Sequence, residues 1–194
     1  MQATPANTVR NLQVIYFALL GGLIVLMGVI MTVLLQVRPE GFIGAKGPKL
    51  GEFPLITIVL CGIAAMNLLL ALGLPAFITR SNIEQFARTT GPVNMQLESW
   101  DTENVAWQEK LPTETMGKLL GYYQVEKIIT AAMCEAGGML SAVAYLLEAQ
   151  GVAVVLLFLC IACMLWRLPT VDGVNRWLLA QLSRMQVSGH HAPT

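Results

Sequence analysis

The sequence predicts an all-α polytopic membrane protein, with four transmembrane helices arranged as two hairpins and a C-terminal interfacial amphipathic helix. Three observations lead to that class. First, 55% of the 194 residues are hydrophobic and 12% are charged, where soluble domains carry about 25% charge. Second, the apolar residues gather into long blocks in place of the short periodic stripes of a soluble core. Third, lysine and arginine divide unevenly between the ends of those blocks, as they do around membrane spans. The formal net charge is zero, so no broad basic surface for nucleic acid is expected.

Residues 1–12 form a short N-terminal segment ahead of the first hairpin, which occupies residues 13–78. Its first block, Val14–Leu35, is broken only by Gly21, Gly22, Gly28 and Thr32. As a helix rising 1.5 Å per residue it crosses a hydrocarbon core of about 30 Å. It exceeds the apolar region of a secretory signal and ends at Gln36-Val37-Arg38-Pro39 without an Ala-x-Ala site, so it reads as a retained span. The second block runs from Phe53 to about Ile78. Pro54 stands near its start, where a missing N–H costs least, and Pro75 near its end, where a kink is expected. Asn67 is its strongly polar interior residue.

Residues 79–116 read as an acidic cytoplasmic loop, either partly helical or a contact surface, against the plainer reading of a solvated linker. Trp100 and Trp107, seven apart, fit one helix face dipping into the headgroups. The second hairpin occupies residues 117–168. Its helix starts near Thr115 or Gly117, because Leu119, Leu120, Tyr123 and Lys127 continue a helical spacing ahead of the apolar run Ile128–Leu147. Glu148-Ala149-Gln150-Gly151 is a turn too short for anything but antiparallel neighbours.

The fourth block, Val152–Trp166, is short for a span. If it crosses, nine of the twelve basic residues lie on the N-terminal side: Arg10, Arg80, Arg88, Lys110, Lys118, Lys127, Arg167, Arg176 and Arg184. Arg38, Lys46 and Lys49 lie on the other. If it does not cross, the split is even and the usual orienting bias vanishes. Four crossings with both termini in the cytoplasm, in a bacterial inner membrane, is the expected topology. Within residues 169–194, Asp172–Gln186 sets Val174, Trp177, Leu178, Leu182 and Met185 near one helix face. Trp177, Arg176 and Arg184 are then expected at the membrane interface, with docking on the central loop as the alternative. His190 and His191 sit in a polar tail without the pattern of a metal site.

Glu135 is the formal charge inside the Ile128–Leu147 run, about 10 Å below its cytoplasmic edge by helical rise. A carboxylate at that depth needs a partner or a purpose. Asn67, at comparable depth in the second span, and Ser141 are the expected hydrogen-bond partners, and Lys127 a source of positive field. Two readings follow: a glutamate that locks one helix to another, or an ion-binding carboxylate exchanging H⁺ or a cation. Gly137, Gly138 and Ala142, with Ser141, form a small-residue surface on the third span that admits close helix packing, and Gly21 and Gly22 offer a matching patch on the first.

Cys61, Cys134, Cys160 and Cys163 all fall in apolar blocks and read as small buried hydrophobes; Cys160-x-x-Cys163 lacks the context of a redox motif. A path of cysteines and methionines for Cu(I) lacks accompanying histidine. No metal or other cofactor is expected, and no enzyme, since no metal-hydrolase motif, nucleophile elbow or phosphate loop occurs.

The run Ile128-Ile129-x-x-Ala132-x-x-Glu135 followed by glycines and Tyr145-Leu146-Leu147, with Gln13-Val14-Ile15-Tyr16-Phe17-Ala18-Leu19-Leu20, resembles a group of small uncharacterised four-span bacterial membrane proteins. Two hairpins with one mid-membrane glutamate are similar, more distantly, to the proteolipid c subunits of rotary ATPases. That resemblance implies a proton- or cation-carrying role for Glu135. The chain lacks the Gly-x-Gly-x-Gly run of those subunits and carries its glutamate in the first helix of the hairpin. The expected partners are the lipid bilayer and either further copies of the chain or other membrane subunits. The expected function is that of a helix-packing or accessory subunit, with ion handling as the alternative.

Overall fold

A computed structural model describes residues 4–37, 49–50, 53–90 and 113–190. Five helices account for nearly all of them: α1 (Pro5–Val37), α2 (Leu55–Thr90), α3 (Thr113–Glu148), α4 (Gly151–Trp166) and α5 (Val171–His190). A minimal antiparallel ladder, β1 (Lys49–Leu50) with β2 (Phe53–Pro54), pairs Leu50 with Phe53 immediately ahead of α2. Apart from that ladder the described chain is helical, as its composition predicts.

The helices outrun the apolar blocks. Where the sequence suggested a loop from residue 79, α2 continues through Pro75 to Thr90. Thr79, Ile83 and Phe86 recur at helical spacing there and all three are buried, so loss of hydropathy marks the end of the apolar run and not of the helix. The last four positions of the expected loop are likewise the first turn of α3. Trp100, Trp107, His191 and most of the Arg38–Glu52 connection lie outside the described residues.

Three helices hold stretches long and apolar enough to cross a membrane, with mean hydropathies of 2.3, 2.5 and 1.4 for α1, α2 and α3. The short α4 qualifies only together with α5, which gives at most a fourth. The low value for α3 has a packing cause. Half of its window is buried inside the protein, against 17% for α1 and α2. A helix surrounded by other helices uses small residues, here Ala131, Ala142 and Ala144, all buried. The outer helices instead present Phe17, Ile24, Val25, Val59 and Leu69, all exposed, as a lipid-facing surface requires and a water-facing one does not.

The chain packs as two units. One contains Val14–Leu74 and Ile128–Leu168, thus parts of α1, α2 and α3 with all of α4, around a core that includes Tyr16, Leu23, Tyr145, Leu157 and Met164. Ala149 and Gln150 alone separate α3 from α4, so the two are sequence-adjacent helices joined by a tight turn. Ala149 sits there at φ 51° while 1% exposed. The left-handed region is normally left to glycine, and the bond from Ala149 N–H to Tyr145 O, 2.7 Å, holds the residue in it. Farther along, Pro75 has no N–H for the carbonyl of Ala71. The adjoining carbonyl of Leu72 accepts a long hydrogen bond from Arg167 Nη2 at 3.4 Å.

The other unit contains residues 1–13, Pro75–Lys127 and Pro169–Thr194. Its core joins Val9 and Leu12 of α1, Ile83 and Phe86 of α2, Met116, Leu119, Leu120 and Tyr123 of α3, and Val174, Leu178, Leu182 and Met185 of α5. Gln13 Nε2 donates to the carbonyl of Pro169 at 3.1 Å. This packing favours the docking alternative for α5 over an interfacial one, since its partners include Ile83, Phe86 and Met116 from the stretch expected to be the central loop. The helix and its apolar stripe are present, but the stripe is buried against the chain's own helices. Trp177 stacks edge-on against Tyr123, ring centres 5.3 Å apart, while Arg176 and Arg184 remain exposed.

Candidate functional site: the polar groups of the central helix

Helix α3 carries most of the polar side chains that the sequence singles out, and its register decides what each one meets. Gly137 faces α2 and α4: a Cβ placed on it would lie 3.1 Å from Ala64 O, 3.3 Å from Cys160 Sγ and 3.7 Å from Asn67 Cβ. Gly138, 100° farther round, faces α1 and α4, where a Cβ would lie 3.0 Å from Leu23 and 3.4 Å from Leu157. The glycine pair is therefore a node at which three helices close on the fourth, with backbone as well as side chain against Gly137 and side chains alone against Gly138.

Glu135 is half-buried and looks toward α1. It stands by the bare backbone at Gly22, where a Cβ would be 3.7 Å from Glu135 Oε1. Asn67 sits beside Gly137 on a different side of α3, and the Ser141 hydroxyl, fully buried, donates to Gly137 O at 2.9 Å. Thus the three residues expected to form one site are divided among separate neighbours. Lys127, expected to lend its field to Glu135, lies over the ring of Tyr123 at 5.3 Å. Of the expected packing residues, Ala142 is buried, and Gly21 has no neighbour within 4 Å of where a Cβ would be.

The carboxylate that the sequence reading passed over is Glu148. It is 0% exposed at the last position of α3, and it accepts two backbone hydrogen bonds from the first turn of α2, Ile56 N–H at 3.3 Å and Thr57 N–H at 2.6 Å. Those amides belong to the four at a helix start that have no partner in their own helix. Normally a serine or aspartate just before the helix serves them, but Pro54 stands there and offers no side-chain acceptor. Glu148 supplies from another helix what Pro54 lacks, and its charge is favoured by the positive end of the α2 dipole. Two oddities pointed to this pairing. An acid in a last turn is disfavoured by its own helix dipole, and α2 starts without a capping side chain.

The thiols are close-set: Cys134 of α3 lies beside Cys163 of α4, and Cys160 beside Gly137. Among the described residues no three Cys, His, Asp or Glu side chains gather to hold a metal ion. No protein-family model, curated protein or solved structure matches the chain. What the arrangement does chemically is to spend Ser141 and Glu148 on backbone groups, while Glu135 lies beside Gly22 of α1.

Proposed function

We propose that this chain is a bacterial inner-membrane protein with four crossings arranged as two hairpins and both termini cytoplasmic, acting as a helix-packing or accessory subunit of a membrane assembly. The observation that carries the packing role is that buried Glu148 ties the end of α3 to the first amides of α2, while buried Ser141 is satisfied within its own helix by Gly137 O, so neither presents a free group to a substrate.

The fourth crossing is supported by the contents of one packed unit. Residues 1–13 and Pro169–Thr194 share it, tied by Gln13 and Pro169. Segments on one side of a bilayer are separated by an even number of crossings, which favours a crossing by α4. Trp166, 91% exposed, followed by Arg167 at its end, suits an interfacial anchor. With α4 crossing, the basic residues fall nine to three, which orients the termini inward.

Purification in mild detergent tests the role: further membrane subunits are expected to accompany the chain, and a lone monomer argues against an assembly. A second reading rests on Glu135, whose half-buried carboxyl faces the side-chain-free backbone of Gly22. If this group carries H⁺ or a cation, a hydrophobic carbodiimide labels Glu135 in intact membranes, Na⁺ or proton competition reduces the labelling, and Glu135→Gln abolishes it. Wild-type protein that stays unlabelled removes this reading.

A further inference from the structure

We propose that Glu148 is a proton-released latch between the end of α3 and the start of α2. The tie is complete only in the ionised form. Each carboxylate oxygen accepts one amide of α2, Oε1 from Ile56 and Oε2 from Thr57, and a full negative charge at a helix start gains from both the hydrogen bonds and the dipole. When the carboxylate takes up a proton from water, an O–H bond forms on one oxygen and the charge is neutralised. That oxygen becomes a donor and a poorer acceptor, so one amide loses its partner and the dipole its counter-charge. No other reactant is needed.

The neighbourhood is prepared for that change. The Thr57 hydroxyl is buried beside the carboxylate, on the residue whose amide the carboxylate already grips. A protonated Glu148 has the O–H to engage it, which exchanges an amide contact for a hydroxyl contact. Ala149, next in the chain, is held in a left-handed conformation that is strained for an alanine, and is itself buried. Strain of this kind persists only where neighbours enforce it, so a weakened grip by Glu148 favours movement of the α3–α4 turn. Among the described residues, Cys61 is the titratable side chain that faces this carboxylate, one turn onward along α2. A thiol stays neutral in acid, so it adds no charge of its own as the pH falls.

The sign follows: the latch is closed where Glu148 is ionised and opens as the pH falls. Amide hydrogen exchange on the full-length protein in lipid nanodiscs, resolved to residues 55–58 and corrected for the intrinsic effect of pH, reads it directly. In wild type the Ile56 and Thr57 amides are expected to be protected at neutral pH and to lose roughly tenfold or more of that protection in acid, as the loss of a charged hydrogen bond implies. Glu148→Gln keeps the shape but offers one acceptor oxygen and no charge, so exchange is expected to be fast and insensitive to pH. Glu135→Gln is expected to behave as wild type. Should Glu148→Gln fail to fold, the wild-type pH series decides alone. Protection in wild type that is unchanged with pH, or a Glu148→Gln variant as protected as wild type, overturns the latch.

Discussion

Two adjacent glycines differ in what surrounds them, and the difference sets what each tolerates. A methyl on Gly137 meets the backbone carbonyl of Ala64 at 3.1 Å, and a carbonyl fixed in a helix cannot turn aside. A methyl on Gly138 meets the side-chain ends of Leu23 at 3.0 and 3.1 Å, which can rotate. Gly137→Ala is therefore expected to destabilise the protein by about 1–3 kcal/mol, in the range of overpacked cores, and Gly138→Ala by less. Thermal unfolding of both variants in one detergent checks the order. The small-residue stripe was legible in the sequence, because Gly-x-x-x-Ser and Gly-x-x-x-Ala spacing is local. The partners were not legible, since the spacing gives a face of α3 and not the helix that will occupy it. For the same reason Glu135, Asn67 and Ser141 looked like one site by depth alone, while rotation about α3 sends them to different neighbours.

At the level of the element, α5 shows what an amphipathic pattern leaves open. The stripe Val174, Leu178, Leu182 and Met185 was read correctly as one face, but hydrophobic periodicity is equally satisfied by acyl chains or by protein. What decides is whether complementary apolar residues stand nearby, and Val9, Leu12, Ile83, Phe86 and Leu120 do. Leu178 is fully buried among them, so Leu178→Ala is expected to cost about 2–5 kcal/mol. It should also hasten proteolysis of the C-terminal helix in detergent, where no bilayer is present to hold it. Unchanged stability and cleavage would return α5 to the membrane surface. The exposed ion pairs Arg80–Glu84 and Lys118–Glu114, at 3.0 and 2.7 Å, contribute little by comparison. Helix ends in general were the least legible feature: α2 passes Pro75 and the polar run Thr79-Arg80-Ser81-Asn82 because three buried residues keep its face in register, and a hydropathy window cannot see three residues.

For the molecule as a whole, the apolar blocks of the sequence carry the helical, membrane-compatible architecture, while the proposed even number of crossings is a matter for experiment. Reporter fusions placed at each terminus are expected to respond as though on one side of the membrane, and a reporter within residues 39–48 as though on the other. Opposite responses from the two termini would show that the chain crosses an odd number of times. The most consequential feature hidden from the sequence was Glu148, because its partners lie 91 and 92 residues away and are backbone groups, which no side-chain pattern records.

The modest hydropathy of α3 also bears on how the protein is made. A segment averaging 1.4 over its best window, with a glutamate in its midst, gains little from lipid on its own, since a carboxylate near a helix centre offsets several apolar residues. Its favourable surroundings are α1, α2 and α4, and α4 follows after only two residues. During synthesis α3 is thus expected to be a poor independent passenger at the insertion machinery, and its insertion is expected to improve once α4 is available to pack against it.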